Sequence, residues 1–466
     1  MAGWDRIRND ALEVVLSIQR PTGLWALPTC DWELKHLIFA QAGKADVEYE
    51  KRRNEPFGHE SITVTWKIFE ALYAALAEVP PDIRDSVTLR LSQFRSQDGA
   101  YGRPLPGNRA ERAINESGRH SAAALLLVGV IRDSAPAQLL AEQMSETAKW
   151  LCRTVMDGGG WAYNWRLPDS KAEDLSTAYA TAALSLLDRQ KTGGAPVTND
   201  IASAVRSSFD RLDDLRENKR AWPTVHPEHT SVRDSAGMVE ALYLAVQEGA
   251  LRDVCPRATQ QLQTWTADLV AVQREGAAWP AHESQKKISP TATIAMLRLI
   301  DVDRSVSGED RFQEVRLRTE RAVLSMYKRR SFHEDVDAWG WAVLLQVAAS
   351  RSKRIDPDKE MQIRKRVNKR WMEAERNILA RSSVDGLQRN AQQAILYALS
   401  RGNPSEVPDN HIEAKYRRLP GWMRRGAIPL AIFLAGLALQ VAIGCGWLTW
   451  MADLVSGGSG SAPSPN

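Results

Sequence analysis

The chain of 466 residues has few cysteines and little net charge, and each shortage removes a class of protein. Cys30, Cys152, Cys255 and Cys445 are too far apart for a disulfide framework or a zinc ribbon, and suit a reducing compartment. A formal net charge of +4, with no basic stripe interleaved with aromatics, argues against nucleic acid as a partner. The start, Met1-Ala2-Gly3-Trp4-Asp5-Arg6, lacks the apolar stretch of a cleavable signal peptide. Before residue 426 no long uncharged apolar run occurs. With 25% charged and 44% apolar residues the remainder has the make-up of a globular body.

What is present is a recurring motif of glycine and an aromatic, then a polar turn, then an alanine-rich segment. The aromatic falls at Trp25, Tyr101, Trp161, Trp222 and Trp279, and the last four copies lie 57 to 61 residues apart. A period of this size marks a repeat whose helical pairs bury their apolar faces only against neighbours. Apolar segments opening at Ser61, Ser121, Ser176, Asp234, Thr291 and Asp337 start on a capping residue type and are apolar almost all round. They are read as buried inner helices. Charged amphipathic segments at 4–19, 137–156, 200–216, 253–273 and 310–329 are read as outer helices with one solvated face. The expected fold is all-α: an α/α toroid of six to seven helical hairpins over residues 1–400.

The Gln-x-x-x-Gly-x-Trp run at Gln19, Gly23 and Trp25 resembles the QW repeat of triterpene cyclases. The Gly-x-Trp turn with a Ser/Thr-Ala helix behind it is also similar to the β-subunits of protein prenyltransferases. Residues 333–339 contain Asp335-Val336-Asp337-Ala338, which resembles the first half of the Asp-x-Asp-Asp motif of class II terpene cyclases. The resemblance implies that Asp337 protonates an alkene or epoxide, with Asp335 and His333 beside it; Ala338 stands where that family has a further acid. It also implies an isoprenoid ligand. The prenyltransferase side of the likeness would need Asp, Cys and His as zinc ligands; no cysteine lies in an inner-helix turn, so neither metal nor cofactor is expected. The second stretch of this kind, Asp301-Val302-Asp303, is read as a solvated loop.

Six histidines, among them His59, His120, His229, His282 and His333, precede or open inner helices. In a toroid these turns share one mouth. Glu60, Arg119, Arg233 and Trp339 fall in the same turns, so His59, Glu60, Arg119, His120, Arg233, His229, His282 and Trp339 are the expected ligand-binding residues. Converging helix N-termini and the two arginines suggest an anionic ligand such as a diphosphate.

Residues 426–452 form an uncharged apolar run of 27, enough to cross a bilayer. Trp422, Trp447 and Trp450 flank it at interface positions, and Lys415, Arg417, Arg418, Arg424 and Arg425 precede it. The expectation is one transmembrane helix at 426–452 that contacts the lipid bilayer, a linker and basic segment at 401–425, a tail at 453–466, and the toroid on the cytoplasmic side of the membrane. Ala431, Ala435, Ala438 and Ala442 suggest self-association of that helix. The functional expectation is a membrane-anchored, cyclase- or prenyltransferase-like protein that binds or cyclises an isoprenoid by acid-initiated chemistry. The alternative is a non-catalytic tail-anchored sensor, scaffold or effector, for instance in stress or phage defence. A sugar hydrolase would need two carboxylates opposed across a cleft. An apolar lumen reaching Asp337 would favour cyclisation, and a ring filled by its own side chains the scaffold.

Overall fold

The computed structural model describes residues 2–19, 24–25, 61–104, 114–131, 137–163, 171–187, 198–216, 219–223, 230–329, 332 and 335–379. The chain divides into two compact units, Met1–Ser405 and Glu406–Asn466, and every described residue belongs to the first. The linker, the apolar run 426–452 and the tail lie outside the described residues, as do His59, Glu60, His229 and His333. Among the described residues no helix is long and apolar enough to cross a membrane.

Among the described residues six helices form the inside of this unit: α2 (Ile62–Ala75), α4 (Gly118–Ile131), α6 (Asp174–Leu186), α8 (Val232–Glu248), α11 (Pro290–Ser307) and α13 (Ala338–Ala349). Packing runs from α2 to α4, α6, α8, α11 and α13, and from α13 back to α2, so the ring is closed. The remaining helices are α1 (Ala2–Ser17), α3 (Pro81–Ser92), α5 (Ala137–Thr154), α7 (Asn199–Arg216), α9 (Leu251–Val254), α10 (Ala258–Val270), α12 (Gln313–Tyr327) and α14 (Pro357–Leu379). They form an outer layer: α5 backs α4, α7 backs α6, α10 sits on α8 and α11, α12 on α11, and α1 on α13 and α14. The division follows composition. Residues 175–185 of α6 and 338–348 of α13 are buried on every side, and small side chains let such helices pack on both flanks at once. In α7 burial is confined to Ala204, Val205, Ser208, Phe209 and Leu212, one stripe at helical spacing. The architecture agrees with the α/α toroid read from the sequence, with six inner helices in the ring.

The recurring aromatic staples each outer helix to the next inner one. The indole N–H groups of Trp25, Trp161, Trp222 and Trp279 donate to the carbonyls of Val15, Leu151, Leu212 and Leu269 at 2.8–2.9 Å. Each acceptor lies in the last turn of an outer helix or close to it, where carbonyls lack an intrahelical partner. The backbone N–H of each aromatic then donates to a hydroxyl one turn into the following inner helix. Trp25, Tyr101, Trp161, Trp222 and Trp279 reach Thr65, Ser121, Thr177, Ser235 and Thr293 at 2.9–3.1 Å. The 57- to 61-residue period is thus the length of one outer–inner hairpin joined by this contact.

Among the described residues strand is limited to two short antiparallel pairs, Gly102–Pro104 with Ile114–Glu116 and Trp161–Ala162 with Ala172–Glu173. One expectation needs correction. Asp301 and Asp303 are not in a solvated loop, because α11 runs on to Ser307. Asp301 accepts from Arg351 at 2.7 and 3.0 Å, and buried Asp303 accepts from the Tyr243 hydroxyl and Arg311, both at 2.6 Å. The arginines come from distant or later turns, and the helix continues because both carboxylates are neutralised.

At the Gly158-Gly159-Gly160 turn, Gly159 has φ 91°, and a Cβ there would lie 2.4 Å from the Ser207 carbonyl oxygen. Gly159→Ala should therefore lower stability by at least about 1–3 kcal/mol from backbone strain alone. Thermal unfolding checks this; an unchanged midpoint would mean that the α5–α6 turn does not rest on α7 as described.

Candidate functional site at the mouth of the ring

Each inner helix is followed by a returning outer helix, so neighbouring inner helices run parallel and their N-termini share one end. Ser61, Ser117, Ser231 and Ser289 cap α2, α4, α8 and α11, accepting from the N–H of Val64, His120, Asp234 and Ala292 at 3.2–3.4 Å. Asp337 caps α13, its Oδ1 accepting from Gly340 N at 2.8 Å. Asp174 opens α6 and accepts the Leu175 N–H at 2.8 Å. The first turns also carry Arg119 on α4 and Arg233 on α8.

Two ion-pair chains tie these termini together. Arg233 donates through Nη1 to Asp337 Oδ2 at 2.6 Å and through Nε to Asp234 Oδ1 at 2.9 Å. Arg119 donates to Glu173, whose other oxygen accepts from the Ser176 hydroxyl. Each guanidinium also lies over an aromatic ring: Arg119 is 4.9 Å from the centre of Tyr163 and Arg233 5.6 Å from that of Trp339. Between the chains lies a cavity of about 160 Å³, lined by Thr63, Arg119, His120, Tyr163, Glu173, Asp174, Tyr179, Arg233, Asp234 and Trp339 together with neighbouring apolar and serine residues.

The electrostatics of this cavity set one acid apart. Burial, reinforced by the neighbouring Glu173 carboxylate, pushes Asp174 up to about 7. Asp234 goes the other way: burial would raise it, but the Arg233 guanidinium and the hydrogen bonds it receives hold it below its ordinary value. The Asp234 carboxylate in turn raises Arg233, against the effect of burial, and Asp337 adds to it. Burial would lower Arg119, yet Glu173 and then Asp234 raise it. Tyr179 is raised, first by burial and then by Asp234. Three carboxylates thus serve two guanidinium groups, while Asp174 accepts only its own helix N–H among the described residues.

Of the residues expected to bind ligand, Arg119, His120, Arg233 and Trp339 meet at this cavity. His120 is buried with its ring 5.7 Å from that of Tyr163. His282 sits on the rim between α8 and α11, its Nδ1 2.6 Å from the Thr230 carbonyl and therefore donating. Asp337 joins the cluster, with one oxygen on Arg233 and the other on Gly340 N. Asp335 is exposed to solvent. Trp341 points away from the mouth and meets Phe332 edge-on at 6.0 Å, while Trp339 faces it. Carboxylates of the chain itself, Asp174, Asp234 and Asp337, stand at the starts of α6, α8 and α13.

Glu173 and Asp174 are not picked out by the sequence reading, and Asp234 enters it only as the opening residue of a helix. Their signal was the one used for the other turns, an acid just ahead of a Ser/Thr-Ala helix, and Glu173-Asp174 before Ser176 fits it.

The floor of the cavity is aromatic. Trp66 meets Tyr179 edge-on at 5.2 Å, and a Cβ on Gly237 would lie 3.1 Å from the Trp339 ring, so that ring crosses α8 closely. Beneath it the axis of the ring is filled by charge. Lys67 on α2, fully buried, lies 4.8 Å from the centre of the Trp66 ring and donates to Glu70 at 2.8 Å and to Glu240 on the opposite helix α8 at 2.9 Å. Arg298 on α11 reaches Glu240 at 2.9 Å, and Gln346 on α13 reaches Glu70 at 3.2 Å. Among the described residues no three His, Cys, Asp or Glu are grouped to hold a metal ion.

No family model matches this sequence, and no curated protein sequence does. Several solved structures are similar in outline. A sugar epimerase from a ruminal bacterium matches with 10% identity and a TM-score of 0.47, over 63% of this chain and 87% of that one. The ent-copalyl diphosphate synthase from Streptomyces platensis matches with 16% identity and a TM-score of 0.42, over 62% of this chain and 49% of that one. A glycoside hydrolase family 76 mannosidase from Bacteroides thetaiotaomicron matches with 11% identity and a TM-score of 0.47, over 74% of this chain and 98% of that one. At these values the likeness says nothing of what this chain does.

Proposed function

We propose that the mouth of the ring is an acid–base site for a small polar molecule, with Asp174 carrying the proton. The observation behind this reading is a carboxyl group without a cationic partner, raised to about 7 and lining a cavity whose other acids are tied to arginines. A group that titrates near neutrality both gives and takes protons at low driving force, and such groups concentrate where chemistry is done. Arg119 and Glu173 hold one wall, Arg233 with Asp234 and Asp337 the other, and Tyr179 and Trp339 supply apolar surface between them.

The size and contents of the lumen favour a small substrate over a long isoprenoid. A volume of about 160 Å³ corresponds to about five water molecules of liquid volume and falls below the range of about 300–1,000 Å³ usual for sites that take larger ligands. Where a cyclase would hold an apolar chain, the Lys67–Glu240 layer stands instead. The filled axis equally supports the second reading, a non-catalytic sensor or scaffold that uses the same mouth for recognition. In either case the run at 426–452 supports a membrane tether, with the ring on the side of the preceding basic cluster.

Carboxyl NMR of the full chain, selectively labelled at aspartate, tests the acid. One signal should titrate near neutrality in the wild type and vanish in Asp174→Asn. If every aspartate titrates in the ordinary acidic range, the acid–base reading is lost and the recognition reading takes its place. The tether has its own check: removal of residues from 426 onward should release the ring from a membrane fraction, and continued sedimentation would assign membrane binding elsewhere.

A further inference from the structure

We infer that the molecule taken up at the mouth is a small organic cation bearing a hydroxyl group, of the amino-alcohol class. The inference rests on the reading of the mouth as a ligand site. Helix N-termini ordinarily attract anions, but here three first turns or caps carry the chain's own carboxylates: Asp174 on the Leu175 N–H, Asp337 on the Gly340 N–H and Asp234 in the first turn of α8. With Glu173 these make four acids against two guanidinium groups. Asp174 has no cation of its own among the described residues. A guest cation would supply the missing partner.

A second, independent observation concerns the walls. Tyr163, Tyr179, Trp222 and Trp339 all line the cavity, and three of these rings, Tyr163, Trp222 and Trp339, already hold a cation over their faces. An aromatic face attracts a positive charge through its quadrupole, and more strongly once water is excluded. Aromatic walls with an unpaired carboxyl are the elements of a site for an alkylated or primary ammonium group. The hydroxyl of the ligand is argued from Thr63. It lines the cavity, and its Oγ1 is buried with no hydrogen-bond partner among the described residues. A buried hydroxyl left without a partner is destabilising, and a ligand hydroxyl would relieve it.

The groups facing Asp174 define how binding should depend on pH. Glu173 lies beside it, Arg119 and His120 come from α4, Tyr163 from the following turn, Arg233 and Asp234 from α8, and Tyr179 from one α6 turn further on. Asp174→Asn isolates the contribution of Asp174: any pH dependence left in that variant comes from another of these groups.

The test is calorimetric titration of the full chain with choline and with its neutral isostere 3,3-dimethylbutan-1-ol, at pH 6 and pH 8. Choline should bind at least about tenfold more tightly than the isostere. Its affinity should rise by about tenfold from pH 6 to pH 8, because the ionised fraction of a group with a midpoint near 7 changes by about that factor. Asp174→Asn should weaken choline and flatten that dependence, and Trp339→Leu should weaken choline while leaving the pH dependence in place. Equal binding of choline and the isostere, or no choline binding, overturns the inference. If choline fails while an aspartate still titrates near neutrality, the acid–base reading survives and only the cation is wrong. If the titration is also absent, both fall.

Discussion

Replacing Lys67 with methionine should destabilise the ring by about 3–5 kcal/mol, the size expected when one partner of a buried ion pair is removed. Methionine keeps the length and apolar stem, so the loss reflects charge. Lys67 is fully buried and serves Glu70 and Glu240 at once, and Glu240 is almost as deeply buried. Arg298 still reaches Glu240 in the variant, but Glu70 keeps only Gln346. The pair also sets pH limits. Burial would lower Lys67, but Glu240 and Glu70 raise it above its ordinary 10.5, so its contribution is complete below that value and is lost as pH climbs above it. Burial would raise Glu240, but Lys67 and Arg298 lower it, so its contribution holds above the ordinary carboxylate range and is lost as pH falls through the depressed value. Denaturant unfolding of the wild type, of Lys67→Met and of Lys67→Met with Glu70→Gln measures this. The double variant should recover part of the loss, because Glu70, the carboxylate left without a cation, is no longer charged, while Glu240 keeps Arg298. A single variant within about 0.5 kcal/mol of the wild type, the range usual for surface substitutions, would mean that Lys67 does not span the axis.

The ring was legible in the sequence because its signal is repeated. Five aromatics in the same turn and six small-residue helices behind them report one hairpin over and over, and each copy corrects errors in reading the others. The site was legible only in part. Arg119, His120, Arg233 and Trp339 follow from the register, since the position just inside an inner helix must face the mouth. Asp337 was placed at the mouth by the same register, but its role depends on Arg233, which is 104 residues away. A motif read along the chain does not carry that contact. The axial layer had a signal of another kind: charges of opposite sign, Lys67, Glu240 and Arg298, each flanked by apolar residues within the buried stretches of α2, α8 and α11. Isolated charges in helices that must be buried have to find one another, and the ring brings them to one level.

Asp174→Asn should make the protein more stable at pH 8 while removing the function of the mouth. The sign follows from linkage. Aspartate in the unfolded chain titrates near 3.8, whereas in the ring Asp174 is held up at about 7 by burial and by Glu173. Between these values the folded state binds more protons than the unfolded one, so stability falls as pH rises across that window and levels off above it. The difference of about three pH units corresponds to an upper bound of about 4 kcal/mol; screening at the open side of the cavity brings the expected gain to the order of 1–3 kcal/mol. Asparagine keeps the size and the acceptor for the Leu175 N–H but does not ionise. Unfolding free energies at pH 5 and pH 8 should therefore show a wild-type decline that the variant lacks, the two curves parting most at the alkaline end. The same slope in both would mean that Asp174 is not the group that titrates, and a less stable variant at pH 8 would mean that the carboxylate is held by a partner. A carboxyl that weakens the fold above neutrality, beside three others tied to arginines, adds nothing to stability there, which is the condition the proposed acid–base role of Asp174 requires.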